Sequence, residues 1–113
     1  MIYKIRTFNQ IAVKGLERFP RDRFEVSSDS ADPHAILLRS YKLDAGDLNP
    51  GLRAVARAGA GVNNVPVQPC TDRGIVVFNT PGANANSVKE LVLAALLLAS
   101  RDVVGGIGYV RSL

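Results

Sequence analysis

Apolar and polar positions mix over residues 2–8 (Ile-Tyr-Lys-Ile-Arg-Thr-Phe), where β-branched and aromatic residues are common, and this predicts a first strand. Residues 10–19 read as a short helix stopped by Pro20. Residues 23–27 alternate and predict a second strand, and Asp29 to Pro33 is turn material. Residues 35–38 (Ala-Ile-Leu-Leu) form a short apolar run that delivers Arg39 and Ser40 at its end. A helical turn is expected at 44–48, a fourth strand at 52–58, a short helix around 66–73 stopped by Gly74, and a fifth strand at 75–78.

Strands alternating with helices indicate an α/β fold with a parallel sheet and flanking helices. The continuous apolar runs at 35–38 and 75–78 predict strands covered on both faces. Ligands of such sheets sit beyond the carboxyl ends of the strands. Arg39-Ser40, Gly59-Ala60-Gly61 and Asn79 to Asn84 all fall at such ends.

The last strong pattern is a long helix. Ser87-Val88-Lys89-Glu90 has the form of a capping box, with Ser at the N-cap and Glu three residues on. Leu91 to Ala99 is apolar at every position, so the helix has no polar face and needs cover on all sides. Nothing else in 113 residues looks able to supply that cover, so a second domain or a partner subunit is expected. Residues 103–113 are expected to continue as an incomplete element.

Composition narrows the field. The chain is 47% hydrophobic and 21% charged with a net charge of +4, which suits a folded domain and argues against disorder. The ten Arg and four Lys are scattered, and aromatic residues are 6% with no Trp, so no stacking platform for nucleic acid is expected. A single Cys excludes an internal disulfide and a Cys-based zinc site, and predicts a reduced thiol in a cytoplasmic protein. The nine-residue apolar run is about half a membrane span, and no signal peptide is expected.

Gly59-x-Gly61 follows a strand, but it does not complete a dinucleotide fingerprint. Asn64 stands at the third glycine position, Asp72 comes too early and Glu90 too late for the acidic partner, and Pro66 and Pro69 intrude on the helix start. Gly105-Gly106-x-Gly108 has no strand before it. The small residues at 59–61 can instead turn backbone N–H groups toward an anion, or simply make a tight turn, and the pattern leaves both open. Arg39 and Arg57 beside that turn favour anion binding, since a guanidinium pairs with carboxylate or phosphate in a bidentate manner. His34 lies before a strand, at the wrong edge for catalysis, and reads as a surface residue. Cys70 reads as a small buried side chain. No nucleophile–base pair and no metal-ligand set is present in the pattern.

Three segments carry a resemblance: Arg57-Ala-Gly-Ala-Gly-Val-Asn-Asn64, Arg73-Gly-Ile-Val-Val-Phe-Asn-Thr-Pro-Gly-Ala-Asn84 and Ser87-Val-Lys-Glu-Leu91. The chain resembles the D-isomer-specific 2-hydroxyacid dehydrogenases from about Ile2 to Arg101, and most of all their short-form D-3-phosphoglycerate dehydrogenase branch. Asn63 departs from the pattern, because many relatives carry Asp there. The resemblance implies a flavodoxin-like substrate-binding domain at 1–100, with 101–113 leading toward an NAD-binding Rossmann domain and the chain returning later to complete the first. It implies hydride transfer from D-3-phosphoglycerate to NAD, the step that opens serine biosynthesis, in an enzyme that forms homo-oligomers. Ala60 and Gly61 would offer backbone N–H groups to the substrate carboxylate, Gly59 would belong to the same substrate site, Arg39 and Arg57 with Ser40 would serve the anionic substrate, Asn84 would line the cleft, and Ala60 would also touch the nicotinamide side of NAD. The family's catalytic Arg, Glu and His all come from the later domain, so this stretch alone is expected to be inactive. Two alternatives stay open: a sister enzyme acting on glyoxylate or hydroxypyruvate, and a free-standing dimeric ligand-binding module.

Overall fold

The computed structural model describes residues 1–113. Five strands, β1 (Tyr3–Thr7), β2 (Phe24–Ser27), β3 (Ala35–Leu38), β4 (Ala54–Arg57) and β5 (Val76–Phe78), form one sheet in the order β2-β1-β3-β4-β5. Every neighbouring pair is parallel. The fold is therefore α/β with a flavodoxin-like strand order, as the alternation of strands and helices predicts.

Side chains alternate across a strand, so the register sorts them onto two faces. Ile36 aligns with Val55 and Val55 with Val77. That face carries the core: Ile36, Leu38 and Val55 are buried together with Leu43, Leu48, Leu52, Val65, Cys70 and Ile75. On the other face Ile5, Ala35, Ala54 and Val76 align, followed by Thr7, Leu37, Ala56 and Phe78. Ile5 is buried there, but Val76 and Phe78 are 52% and 56% exposed. The expectation of cover on both faces is thus corrected for 75–78, whereas in 35–38 Ala35 and Leu37 on this face are half-buried. The core layer lies on one face, and β5 is an edge strand.

The connections explain the core. In the 3-10 turn Ala45–Asp47, Asp44 Oδ1 accepts from Gly46 N at 2.7 Å and Asp47 Oδ2 accepts from Asp44 N at 3.0 Å. This reciprocal cap sets Leu43 and Leu48 on either side of the turn, and both are buried. Helix α2 (Val67–Asp72) ends in a Schellman motif: Ile75 N donates to Cys70 O at 2.8 Å and Gly74 N to Thr71 O at 3.1 Å. Gly74 supplies the left-handed residue with φ +69°, and the buried pair Cys70 and Ile75 makes the accompanying apolar contact. The helix expected at 10–19 shrinks to the single turn α1 (Val13–Leu16), since Ala12 gives no side-chain cap and Gly15 weakens the interior. Phe19 and Phe24 meet edge to face at 5.4 Å beyond it.

The chain divides into two compact units, Met1–Pro81 and Gly82–Leu113. The second holds α3 (Ala85–Ser100) and α4 (Val103–Ser112). The capping box expected at Ser87 and Glu90 does not form. The helix starts earlier, after the turn at Gly82 (φ +76°), so Ser87 lies inside the first turn and Glu90 Oε1 accepts from Asn86 Nδ2 at 3.0 Å instead. Residues 103–112 close a helix of their own, capped by Asp102 Oδ1 accepting from Gly105 N at 3.2 Å. Every residue of α3 and α4 is exposed. No single helix is long and apolar enough to cross a membrane, and α3 and α4 are bent by 54° at their junction.

Candidate functional site

Parallel strands bring all their carboxyl ends to one edge, and the order reverses between β1 and β3, the switch point at which ligands of such sheets bind. Residues 1–81 build this edge from four segments. Asn9 follows β1, Arg39 to Tyr41 follow β3, Ala58 to Asn64 follow β4, and Asn79 follows β5.

Asn9 has φ +67°, a left-handed conformation that asparagine tolerates better than most residues. Its Oδ1 accepts from Tyr41 N at 2.8 Å and from Arg39 N at 3.3 Å. Phe8 stacks on Tyr41 with ring centroids 4.1 Å apart and planes at 13°, and the Arg6 guanidinium lies 4.6 Å from the Phe8 centroid. From the other side, Asn64 Nδ2 donates to Arg39 O and to Tyr41 O, both at 2.8 Å. Turning that amide round would set Oδ1 against two carbonyls, so the assignment is chemically unambiguous. The Asn64 Oδ1 is buried without a donor.

Arg57 leaves β4 and folds back over its own loop. Its Nε donates to Arg39 O at 3.0 Å, and its Nη1 donates to Gly61 O. The glycines make room for this. A Cβ on Gly59 would lie 3.3 Å from the guanidinium carbon, and one on Gly61 only 2.9 Å from Nη1. Two of the five guanidinium N–H groups of Arg57 thus meet backbone carbonyls, and the small residues at 59 and 61 leave room for that guanidinium.

The glycine loop has a consistent polarity. Gly59 O accepts from Thr80 N at 2.9 Å, Ala60 O accepts from Asn79 Nδ2 at 2.8 Å, and Gly61 O accepts from Arg57. The N–H groups of Gly59, Ala60 and Gly61 donate to nothing in the chain. All three carbonyls are used inward and all three amides are free, which is the polarity an anion needs. Nearby, Arg39 is exposed and its guanidinium makes one long bond, Nη1 to Gln10 O at 3.5 Å. Ser40 is exposed as well.

Six of the expected residues, Arg39, Ser40, Arg57, Gly59, Ala60 and Gly61, therefore share one sheet edge. Asn84 belongs to the second unit, at the N-cap of α3, where its side chain caps nothing. His34 lies at the opposite, amino edge, as expected, but it is not a free surface residue. It is half-buried, its Nδ1 accepts from Lys4 N at 2.9 Å, and its ring meets Tyr3 edge to face at 5.6 Å. Cys70 is fully buried, and burial pushes its thiol pKa up against the smaller lowering effect of Arg73. Asn9 and Asn64 stand beside these residues and were not among those expected from the sequence. The signal for Asn9 is an asparagine directly after a strand and its aromatic, while Asn64 was legible only as a failed third glycine.

The loop is a poor pyrophosphate cradle. β4 ends at Arg57 and α2 begins only at Val67, behind Pro66, so no helix N-terminus follows the glycines directly. These residues do not fit the dinucleotide phosphates of NAD.

The family description "D-isomer specific 2-hydroxyacid dehydrogenase, catalytic domain" matches residues 3–106. D-3-phosphoglycerate dehydrogenase of Mycobacterium tuberculosis (strain ATCC 25618 / H37Rv) is 41% identical over 84% of this chain and 18% of its own length. Glyoxylate reductase of Pyrococcus horikoshii is 32% identical over 98% of this chain and 37% of its own. Among solved structures, NAD+-bound 3-phosphoglycerate dehydrogenase of Entamoeba histolytica superposes with a TM-score of 0.72 at 25% identity, over 87% of this chain and 39% of that one. The TT0316 protein of Thermus thermophilus reaches 0.83 at 25% identity, over 96% and 40%. The chain spans about a fifth of the mycobacterial relative.

Proposed function

The chain belongs to the D-isomer specific 2-hydroxyacid dehydrogenases, and from that premise we propose that its sheet edge is the substrate-binding side of an NAD-dependent enzyme that oxidises D-3-phosphoglycerate to 3-phosphohydroxypyruvate. The single observation that carries this reading is the polarity of the 59–61 loop, with three free amides next to an exposed Arg39. D-3-phosphoglycerate offers a carboxylate and a phosphate. The amides of Gly59, Ala60 and Gly61 suit the carboxylate, and Arg39 with Ser40 suits the second anionic group. Arg57 contributes mainly by holding the loop in shape. In this reading Ala60 would also serve the nicotinamide side of a bound NAD.

NAD, when bound, would supply the hydride acceptor. Its phosphates need a site other than the loop after β4, and we assign that site to a Rossmann domain outside these residues, with 1–100 as substrate domain and 101–113 as the start of the connection. We also assign the proton acceptor to a part of the enzyme outside these residues, since His34 lies at the opposite edge of the sheet from the proposed site. The chain alone therefore binds the substrate without turning it over. Membership in serine biosynthesis, a cytoplasmic location and a homo-oligomeric state belong to the same proposal. Self-association draws support from the exposed apolar side chains of α3, with Leu91, Leu96 and Leu97 at 72%, 62% and 68%.

An NMR titration with D-3-phosphoglycerate tests the site. The amide signals of Gly59, Ala60 and Gly61 should shift, and Arg39→Ala should weaken binding by roughly 1–3 kcal/mol. Shifts confined to other residues, or NADH formed by this chain from NAD and D-3-phosphoglycerate, would overturn the reading. A second reading, a glyoxylate or hydroxypyruvate reductase, is favoured by the Pyrococcus horikoshii relative, which covers nearly all of this chain. Under it glyoxylate should bind and Arg39→Ala should cost little.

A further inference from the structure

The sheet ladder that orders β3 ends early. Phe8 N donates to Leu37 O and Ala58 N to Leu38 O, and no strand bond reaches beyond Leu38. Arg39, Ser40 and Tyr41 nonetheless carry the charged and hydroxyl groups that the substrate reading needs. Something other than the sheet must hold their backbone.

Two asparagines do so with opposite atoms. Asn9 Oδ1, on the β1 side, takes the N–H groups of Arg39 and Tyr41. Asn64 Nδ2, on the β4 side, gives its two hydrogens to the carbonyls of the same two residues. Ser40, between them, has neither its N–H nor its carbonyl claimed by the backbone. The tripeptide is thus gripped at both ends, with Ser40 at the crest. The chemistry of each grip is specific. One oxygen with two lone pairs must face two donors, and one NH2 must face two acceptors. A primary amide supplies either, and Asn9 is also suited to its left-handed backbone.

We propose that Asn9 and Asn64 are positioning residues that aim Arg39 and Ser40 at the anionic substrate. The inference rests on the proposed function, since it gives Arg39 a ligand to meet. Neither asparagine touches the substrate in this scheme, and each acts only through the 39–41 segment.

The test is a double-mutant cycle read as the affinity of the full chain for D-3-phosphoglycerate, followed by NMR titration. Asn64→Ala should weaken binding about tenfold in the otherwise unchanged chain. In an Arg39→Ala, Ser40→Ala background the same change should weaken it less than about twofold, because the groups it aims are gone. A merely structural role would give equal losses in both backgrounds, and that result would overturn the inference. Should Asn64→Ala fail to fold, Asn9→Gly tests the same segment from the other side. Glycine keeps the left-handed backbone and removes only the acceptor. It should give the same pattern of losses and release the Tyr41 amide signal toward a free value. If Arg39→Ala, Ser40→Ala alone changes nothing, the substrate reading fails and this inference falls with it. If that pair weakens binding while Asn64→Ala and Asn9→Gly do not, the inference fails alone.

Discussion

Residues 1–81 bury ten hydrophobic side chains, while α3 and α4 bury none, although α3 contains the longest apolar run in the chain. The difference teaches that apolar content does not make a core. A core needs two layers with facing apolar surfaces. In the first unit the sheet presents Ile36, Leu38 and Val55, and the turn and helix beside it return Leu43, Leu48, Val65 and Cys70. In the second unit two helices bent by 54° share one short junction and enclose nothing. Apolar side chains there form an exposed surface rather than an interior.

The largest effect expected from this contrast is on folding. Leu38→Ala, at a fully buried position, should destabilise the first unit by about 2–5 kcal/mol in urea denaturation. A loss below that range would mean the core is looser than its burial indicates. Gly61→Ala should cost about 1–2 kcal/mol, because the new methyl displaces the Arg57 guanidinium from the carbonyls it holds. Combining it with Arg57→Ala should remove most of that added cost, and additive losses would show that the glycine serves something else.

A smaller effect concerns pH. Burial raises the Cys70 thiol pKa in the folded state, so the folded chain holds this proton more tightly than the unfolded one. The stabilisation is complete below the unfolded thiol's pKa and is lost as pH rises through the folded value. Denaturation midpoints should therefore fall on the alkaline side, and Cys70→Ala should flatten that fall. Iodoacetamide should label Cys70 slowly until the chain unfolds. Smallest of all, Leu97→Glu on α3 should leave folding stability within about 0.5 kcal/mol. Its visible consequence should be weaker self-association in sedimentation velocity. A large loss of stability instead would show that α3 is part of the folding core.

Much of the fold was legible because strands in a parallel sheet leave a strong local trace. The apolar runs at 35–38 and 75–78, the mixed pattern at 2–8 and the alternation at 23–27 lie within a residue or two of β3, β5, β1 and β2. Gly74 as a helix stop was equally legible, since its left-handed conformation is a property of one residue. The illegible parts depend on competition between neighbours. Ser87 and Glu90 match a capping box, yet the turn at Gly82 starts the helix ahead of them. The extent of α1 depended on a missing cap. At the site, Arg39, Ser40 and the glycine loop could be found by their position after strands, whereas the inward use of Arg57 could not.

By itself the sequence determined the strand and turn pattern, the α/β class and the cluster of small and cationic residues at strand ends. These follow from side-chain period and backbone preference, which are local. Only the tertiary structure decided which face of the sheet carries the core, that Arg57 serves the loop, and that Asn9 and Asn64 grip one tripeptide from both sides. The two grips join residues 23 to 32 positions apart, and no local preference encodes them. Hydrogen bonds between loops exist only once the parallel sheet has brought its carboxyl ends to a single edge.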